Sequence, residues 1–320
     1  MPEMLLEISG LKTYYYAMAG VVKAVDDVSF TLKKGETIGL VGESGSGKST
    51  VGFSILRLIP PPGRVVQGSI RFEDTELVKL DEKEMRGIRG KRIGMVFQDP
   101  MTSLNPVKRV RDHIIETIQT HEVVTEEECD SRAAHLMKRL GISPDRLTDY
   151  PHQFSGGMRQ RIMIGLALCT NPDLIIADEP TTALDVIVEA QIMELLKELR
   201  SDFGVALMLI THNMGLVADI AEKVAVMYAG KLVEVADRDS LFSEPLHPYT
   251  QALLRSIPNI RLTSQKLEAI PGSTPDLVSP PSGCRFHPRC PYVMEICKSK
   301  EPPLIEVKPN RLVACYLHNK

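Results

Sequence analysis

No apolar run in this 320-residue chain comes near the roughly 18 to 20 residues needed to cross a bilayer; runs such as Val224–Ala229 and Ala206–Ile210 are the length of buried strands. The opening MPEMLLEISG lacks the basic stretch, long apolar region and small-residue cleavage site of an export signal, which predicts a chain that stays in the cytosol. A surplus of either charge is missing too. The 38 Lys and Arg stand against 41 Asp and Glu, a net charge of -3, so no global basic field draws in nucleic acid or anionic lipid, and no nucleic-acid partner is expected. Repeats of about 20 to 50 residues and low-complexity tracts are likewise absent. What remains is the balance of a chain that folds, 43% hydrophobic and 25% charged, at a length that accommodates two domains of roughly 150 residues.

From Leu5 to about Gly39, short strand-like runs (LLEI, VDDVSFTL, ETIGLVG) are punctuated by Gly20 and by the turn Lys33–Gly35. From Lys48 onward, helical periodicity alternates with short apolar runs at 93–97, 174–177, 206–210 and 224–228, the order of an α/β fold with a largely parallel sheet. Between Val110 and Asp149 no strand-like run interrupts the helical pattern, which predicts a helical subdomain. After roughly Ser240, Pro258, Pro271, Pro275, Pro280 and Pro281 break the periodicity, and a second, loop-rich domain is expected over 241–320.

The segment Gly42-Glu43-Ser44-Gly45-Ser46-Gly47-Lys48-Ser49 fits GxxxxGK[ST] between a strand-like TIGLV and a helical VGFSILRLI. Gly42, Gly45 and Gly47 let the backbone curl until successive N–H groups face phosphate oxygens, and the following helix adds its positive end. Lys48 is expected on the β- and γ-phosphates of ATP, Ser49 on Mg²⁺ and Thr50 on the α- or β-phosphate, with Ser44 and Ser46 completing the loop. In LIIADE at 174–179, four apolar residues bury a strand and deliver two carboxylates to its end. Asp178 can hold Mg²⁺ through water while Glu179 polarises the attacking water. A nucleoside triphosphatase follows.

Phe154-Ser155-Gly156-Gly157-Met158-Arg159-Gln160, taken with these two motifs, resembles the signature of an ABC ATPase, usually written LSGGQ. Ser155, Gly156 and Gly157 present N–H groups and a hydroxyl at a helix start, a second anion-binding end. The resemblance implies a P-loop cassette with a RecA-like core, an antiparallel β subdomain and a helical subdomain at about 100–160, all within 1–240. It also implies that the signature of one subunit closes over the ATP of another. The chain departs from the pattern at Phe154 and Met158 and keeps the Ser-Gly-Gly contact. Three further positions match: Gln98 is similar to the Q-loop glutamine on Mg²⁺ or water, Asp185 to the D-loop aspartate, and His212 to the histidine on the γ-phosphate. Among Tyr14, Tyr15 and Tyr16, spacing favours Tyr15 as the aromatic platform for adenine.

Within that group, GESGSGKST, QDPMTSLNP, PTTALDV and LFSEPLHPYTQALL resemble the ATP-binding subunits of dipeptide and oligopeptide importers, over nearly the whole length. That resemblance implies an energy-coupling ATPase peripheral to the cytoplasmic face of the membrane. Its partners would be a second ATPase subunit, a paralogue or an identical copy, two membrane-spanning permeases and, indirectly, an extracytoplasmic peptide-binding protein. Nickel or sugar is an alternative cargo. Cys284, Cys290, Cys297 and Cys315 are separated by five, six and seventeen residues, and similar members bind a [4Fe–4S] cluster through such a set. Zinc is a rival without a CxxC knuckle, and disulfides are a second rival disfavoured in the cytosol. Cys129 and Cys169 read as ordinary thiols on helices. Two other functions stay open on the residues. One is an ABC ATPase acting on DNA or ribosomes, whose usual paired cassettes or coiled-coil insertion are lacking here. The other is an iron–sulfur sensor with a vestigial ATPase, against which Lys48, Asp178, Glu179 and His212 all stand.

Overall fold

The computed structural model describes residues 3–99, 103–182, 184–256 and 270–318. Pro258, part of QDPMTSLNP (100–102) and Ala183 of PTTALDV lie outside the described residues. The strands are β1 (Met4–Ala17), β2 (Gly20–Lys33), β3 (Thr37–Val41), β4 (Gly63–Phe72), β5 (Thr75–Glu76), β6 (Ile93–Val96), β7 (Leu174–Asp178), β8 (Ala206–Thr211), β9 (Lys223–Tyr228), β10 (Lys231–Asp237), β11 (Ile305–Lys308) and β12 (Arg311–Val313). The chain forms two compact units, one of Met1–Lys33, Thr37–Lys79 and Leu209–Lys320, the other of Lys34–Glu36 and Leu80–Met208.

In the first unit, β1 pairs antiparallel with β2 and β4, and β4 with β5, in the order β2-β1-β4-β5. Alternation along β1 sends Leu6 and Ile8 inward and, past a register shift between Ile8 and Leu11, does the same for Leu11 and Thr13. All five residues of β3 are buried, the mark of a strand covered on both faces, and β3 runs parallel to β9 with Leu40 opposite Ala225. Its helix-side packing is tight: a Cβ on Gly39 would lie 2.5 Å from Val217 Cγ1. The β9–β10 hairpin turns through Ala229 (φ 47°) and Gly230 (φ 83°), the two left-handed residues that match strand twist in a two-residue loop. The chain after Ser240, expected to be loop-rich, also supplies β11 and β12, and β12 pairs antiparallel with β10.

In the second unit, β6 and β7 are parallel, with Met95 opposite Ile176. The helices Val110–His121 and Glu126–Arg139 form the expected helical stretch. Thr125 caps the second of these, whose first turn carries Glu126, Glu127 and Glu128 and whose last carries Lys138 and Arg139, so charge and helix dipole agree at both ends. Arg111 ties the two together through Asp130 (2.5 Å) and Glu126 (2.7 Å). Cys129 is a buried thiol on the second of these helices, as expected, whereas Cys169, also buried, follows the last residue of the helix Gly156–Leu168.

Candidate functional site

The phosphate loop leaves β3 and enters the helix Lys48–Ile55. Its glycines are there for backbone reasons. Gly42 (φ 154°) and Gly47 (φ 100°) hold conformations that disfavour a side chain, and a Cβ on either would sit 2.0 Å from a carbonyl oxygen, of Met227 and Ala24 respectively. Gly45 (φ 78°) would meet nothing within 4 Å, so the loop is closed on one side and open on the other. Ser44 and Gly45 are exposed, Ser49 and Thr50 half-buried. The loop rests on the hairpin turn, where Gly230 N–H donates to Ser46 O at 2.9 Å. Lys48 is 4% exposed, and its ammonium donates to the carbonyls of Gly42 (2.9 Å) and Glu43 (3.0 Å). Ser46 Oγ is buried without a hydrogen-bond partner in the protein. A polar atom so placed, in a loop curled around left-handed glycines, fits a phosphate oxygen.

In the same unit, Tyr14 Oη donates to Asp26 at 2.7 Å and is thereby committed to the fold. Tyr15 is half-buried, in the space a Cβ on Gly63 would claim at 2.5 Å. Tyr16 is 40% exposed, with the Arg64 guanidinium 4.5 Å from its ring centre. His212 is exposed just past β8, one residue before Asn213 caps the helix Met214–Ile220.

The acidic pair lies in the second unit. Asp178 ends β7 at 2% exposure, and Glu179 follows with φ 45°, a left-handed conformation unusual for a glutamate. Glu179 Oε2 accepts from Gln98 Nε2 at 3.0 Å and from Thr182 Oγ1 at 2.8 Å. The structure thus brings together Gln98 and Glu179, 81 positions apart, at the ends of neighbouring parallel strands. Ser155 caps the helix Gly156–Leu168, its Oγ accepting from Met158 N–H at 3.4 Å. Gly157 has no room for a side chain, since a Cβ would lie 2.5 Å from Val188 Cγ1. Asp185 caps Val186–Phe203 by accepting from Ile187 and Val188 N–H.

Cys284, Cys290, Cys297 and Cys315 line one small cavity with His247, Phe286 and Tyr316. Burial pushes the Cys284 and Cys315 thiols up to about 11, opposed by the N–H groups of Phe286 and Leu317, each two residues further on; burial likewise raises Cys290, opposed by Tyr292 N–H. Backbone N–H groups facing sulfur suit thiolates bound to a metal, and the donor set is soft. Yet among the described residues no three His, Cys, Asp or Glu side chains stand in a metal-holding arrangement.

Sequence reasoning missed the polar anchors of this region. Glu234, fully buried, accepts the N–H groups of Leu246 (2.9 Å) and His247 (2.8 Å) and meets Arg311 at 3.3 Å. Arg285 bonds Asp26 and Ala229 O, and Arg289 pairs with Glu43. The available signal was the pair of arginines next to cysteines, which a loop alone does not explain.

Residues 25–182 match the ABC transporter family, and residues 233–297 match the family described as oligopeptide/dipeptide transporter, C-terminal region. The chain is 47% identical over 319 residues to the oligopeptide transport ATP-binding protein AppD of Bacillus subtilis (strain 168), covering 99% of this chain and 97% of that one. Over 322 residues it is 47% identical to the dipeptide transport ATP-binding protein DppD of the same strain, covering 99% and 96%. Over 316 residues it is 45% identical to the oligopeptide transport ATP-binding protein OppD of Escherichia coli (strain K12), covering 98% and 93%. Among solved structures it is similar to the dimeric, post-hydrolysis ATP-binding cassette MJ0796 bound to ADP and Pi (TM-score 0.66, 28% identity, 73% of this chain and 98% of that one). It is also similar to cbiO1 from Clostridium perfringens, part of the ABC transporter complex cbiONQ (TM-score 0.66, 26% identity, 76% and 92%).

Proposed function

Because this chain belongs to the family of ATP-binding subunits of oligopeptide and dipeptide ABC transporters, we propose that its two motif sets act on one ATP and that their chemistry is in-line attack of water on the γ-phosphate. It is the ATPase subunit of a dipeptide or oligopeptide importer. The observation that carries the chemistry is the phosphate loop, with left-handed glycines, a partnerless buried Ser46 Oγ and an ammonium held at its centre.

Gly42, Ser44, Gly45, Ser46, Gly47 and Thr50 cradle the phosphates, Tyr15 stacks on adenine, and Lys48 and His212 offset charge on the γ-phosphate. Glu179 orients and polarises the water, held in place by Gln98 and Thr182. Mg²⁺, held by Ser49 and Gln98 and through water by Asp178, would neutralise phosphate charge. Ser155, Gly156 and Gly157 act across a dimer on the nucleotide of a second ATPase subunit, with Asp185 coupling the two sites. The similarity to a dimeric cassette supports that arrangement. None of the described helices is long and apolar enough to span a membrane. The similarity to transport ATP-binding proteins supports docking of this subunit at the cytoplasmic side of separate permeases. Residues 1–240 are the nucleotide-binding domain. Within residues 241–320, Cys284, Cys290, Cys297 and Cys315 would hold a [4Fe–4S] cluster, zinc being the alternative, and either would brace a loop-rich segment.

The test is steady-state phosphate release with MgATP by the subunit purified from membranes together with its second ATPase subunit. Glu179→Gln is expected to lower kcat by about 10²-fold or more with ATP affinity retained; parental turnover in that variant refutes the role of Glu179. Iron, acid-labile sulfide and zinc analysis of the same sample decides between cluster and zinc. A metal-free, fully active protein removes the brace.

A further inference from the structure

Arg289 sits between Pro288 and Cys290, inside the cysteine-bearing segment, yet its guanidinium reaches the phosphate loop. It is 6% exposed and its donors are all engaged. Nη1 and Nη2 form a two-pronged pair with Glu43 Oε2 (2.7 Å) and Oε1 (3.0 Å). Nη1 also meets Tyr228 Oη at 3.3 Å, while Nε donates to Pro271 O (2.8 Å) and Nη2 to Ile270 O (3.3 Å). The fork geometry and the full set of acceptors are features only arginine satisfies.

Glu43 is the second residue of the phosphate loop and is gripped at three points. Its carboxylate is held by Arg289, and its N–H donates to Tyr249 Oη at 2.9 Å. Its carbonyl accepts from Ser46 N–H (3.1 Å) and from Lys48 Nζ (3.0 Å). The first two anchors belong to the C-terminal chain, and the third fixes the loop's own amide and ammonium. Tyr249 in turn packs in a cluster with Tyr228 (tilted) and Phe286 (edge-on), ring centres 4.6 and 5.4 Å away, so the anchors are rigid. A second consideration is charge. A carboxylate in an anion-binding loop repels a triphosphate unless a cation neutralises it, and Arg289 is that cation.

We propose that Arg289 is a positioning residue for nucleotide binding: through Glu43, the cysteine-bearing segment holds the phosphate loop in its triphosphate-receiving shape and cancels the one acidic charge on it. This rests on the ATPase reading above and extends it to a segment outside the nucleotide motifs. The segment that carries Cys284 and Cys290 is then a wall of the nucleotide site, and whatever orders or loosens those cysteines is felt as ATP affinity.

The test is calorimetric titration of the full chain in the Glu179→Gln background with MgATP. Arg289→Ala is expected to raise Kd about tenfold or more, and Arg289→Lys, which restores charge without the fork, to fall between. Adding Glu43→Gln to Arg289→Ala is expected to recover part of the loss, because the unneutralised carboxylate is gone. In the Glu179-intact protein the same Arg289 variants raise KM for ATP far more than they lower kcat, which a general loss of fold does not do. Should Arg289→Ala fail to fold, Arg289→Lys carries the measurement. A Kd within twofold of the parent for the folded variants overturns the proposal. A parent that binds no MgATP removes the ATPase reading, and this inference with it.

Discussion

His247 is 1% exposed, and its Nδ1 accepts the Tyr249 N–H at 3.0 Å, a cap that requires an unprotonated nitrogen. Burial, with the nearby His318 acting in the same direction, drives its imidazole down to about 3. The unfolded chain, titrating near 6.5, takes the proton first, so stability from this group is complete above about pH 6.5. It is lost as the pH falls toward the folded value, at about 1.4 kcal/mol per pH unit. Thermal melting of the subunit between pH 7 and pH 5.5 is expected to show that loss, and His247→Asn, which keeps a capping oxygen but cannot be charged, to flatten the slope. An equally steep slope in the variant assigns the loss elsewhere. Glu179 is the other residue whose local state stands out. Its left-handed backbone is invisible in the string LIIADE, which shows only that a carboxylate follows a buried strand.

At the scale of elements, the motif GxxxxGK[ST] made the strand, loop and helix legible, because each glycine answers a backbone need that no other residue meets. The individual glycines are not equivalent. Gly47→Ala places a Cβ against Ala24 O and is expected to abolish MgATP binding, since both backbones must move. Gly45→Ala meets open space and incurs only the left-handed penalty of about 1–2 kcal/mol, so binding weakens by about tenfold. Fluorescent-nucleotide titration of the two variants distinguishes them; equal losses refute the steric account. Short apolar runs likewise mark β6, β7, β8 and β9, whereas the pairing of Gln98 with Glu179 depends on strand neighbours that no local pattern encodes. Asp185 and Ser155 stand in family motifs and are also helix caps, so replacing either also loosens a helix end.

For the whole molecule, the reading of nearly the full length as a peptide-importer ATPase was legible because several separated segments agreed at once. The anchoring of the C-terminal chain was not, since Glu234, Arg285 and Arg289 find partners 12 to 259 positions away. If the signature acts on another subunit's nucleotide, Ser155→Arg is expected to lower turnover by about 10²-fold or more while leaving MgATP affinity of the same chain near parental. Phosphate release and nucleotide titration read together check this, and parallel losses in both would place Ser155 on its own chain's ATP. A last consequence follows from the Lys48 ammonium, which gives two of its three N–H donors to main-chain oxygens. Those two bonds pin its charge in place before any anion arrives, so a phosphate meets a cation that does not have to be ordered first. A fixed point of that kind favours the ligand with most contacts of its own around it, and a nucleotide, with a chain of phosphates and a base, brings more of them than inorganic phosphate does.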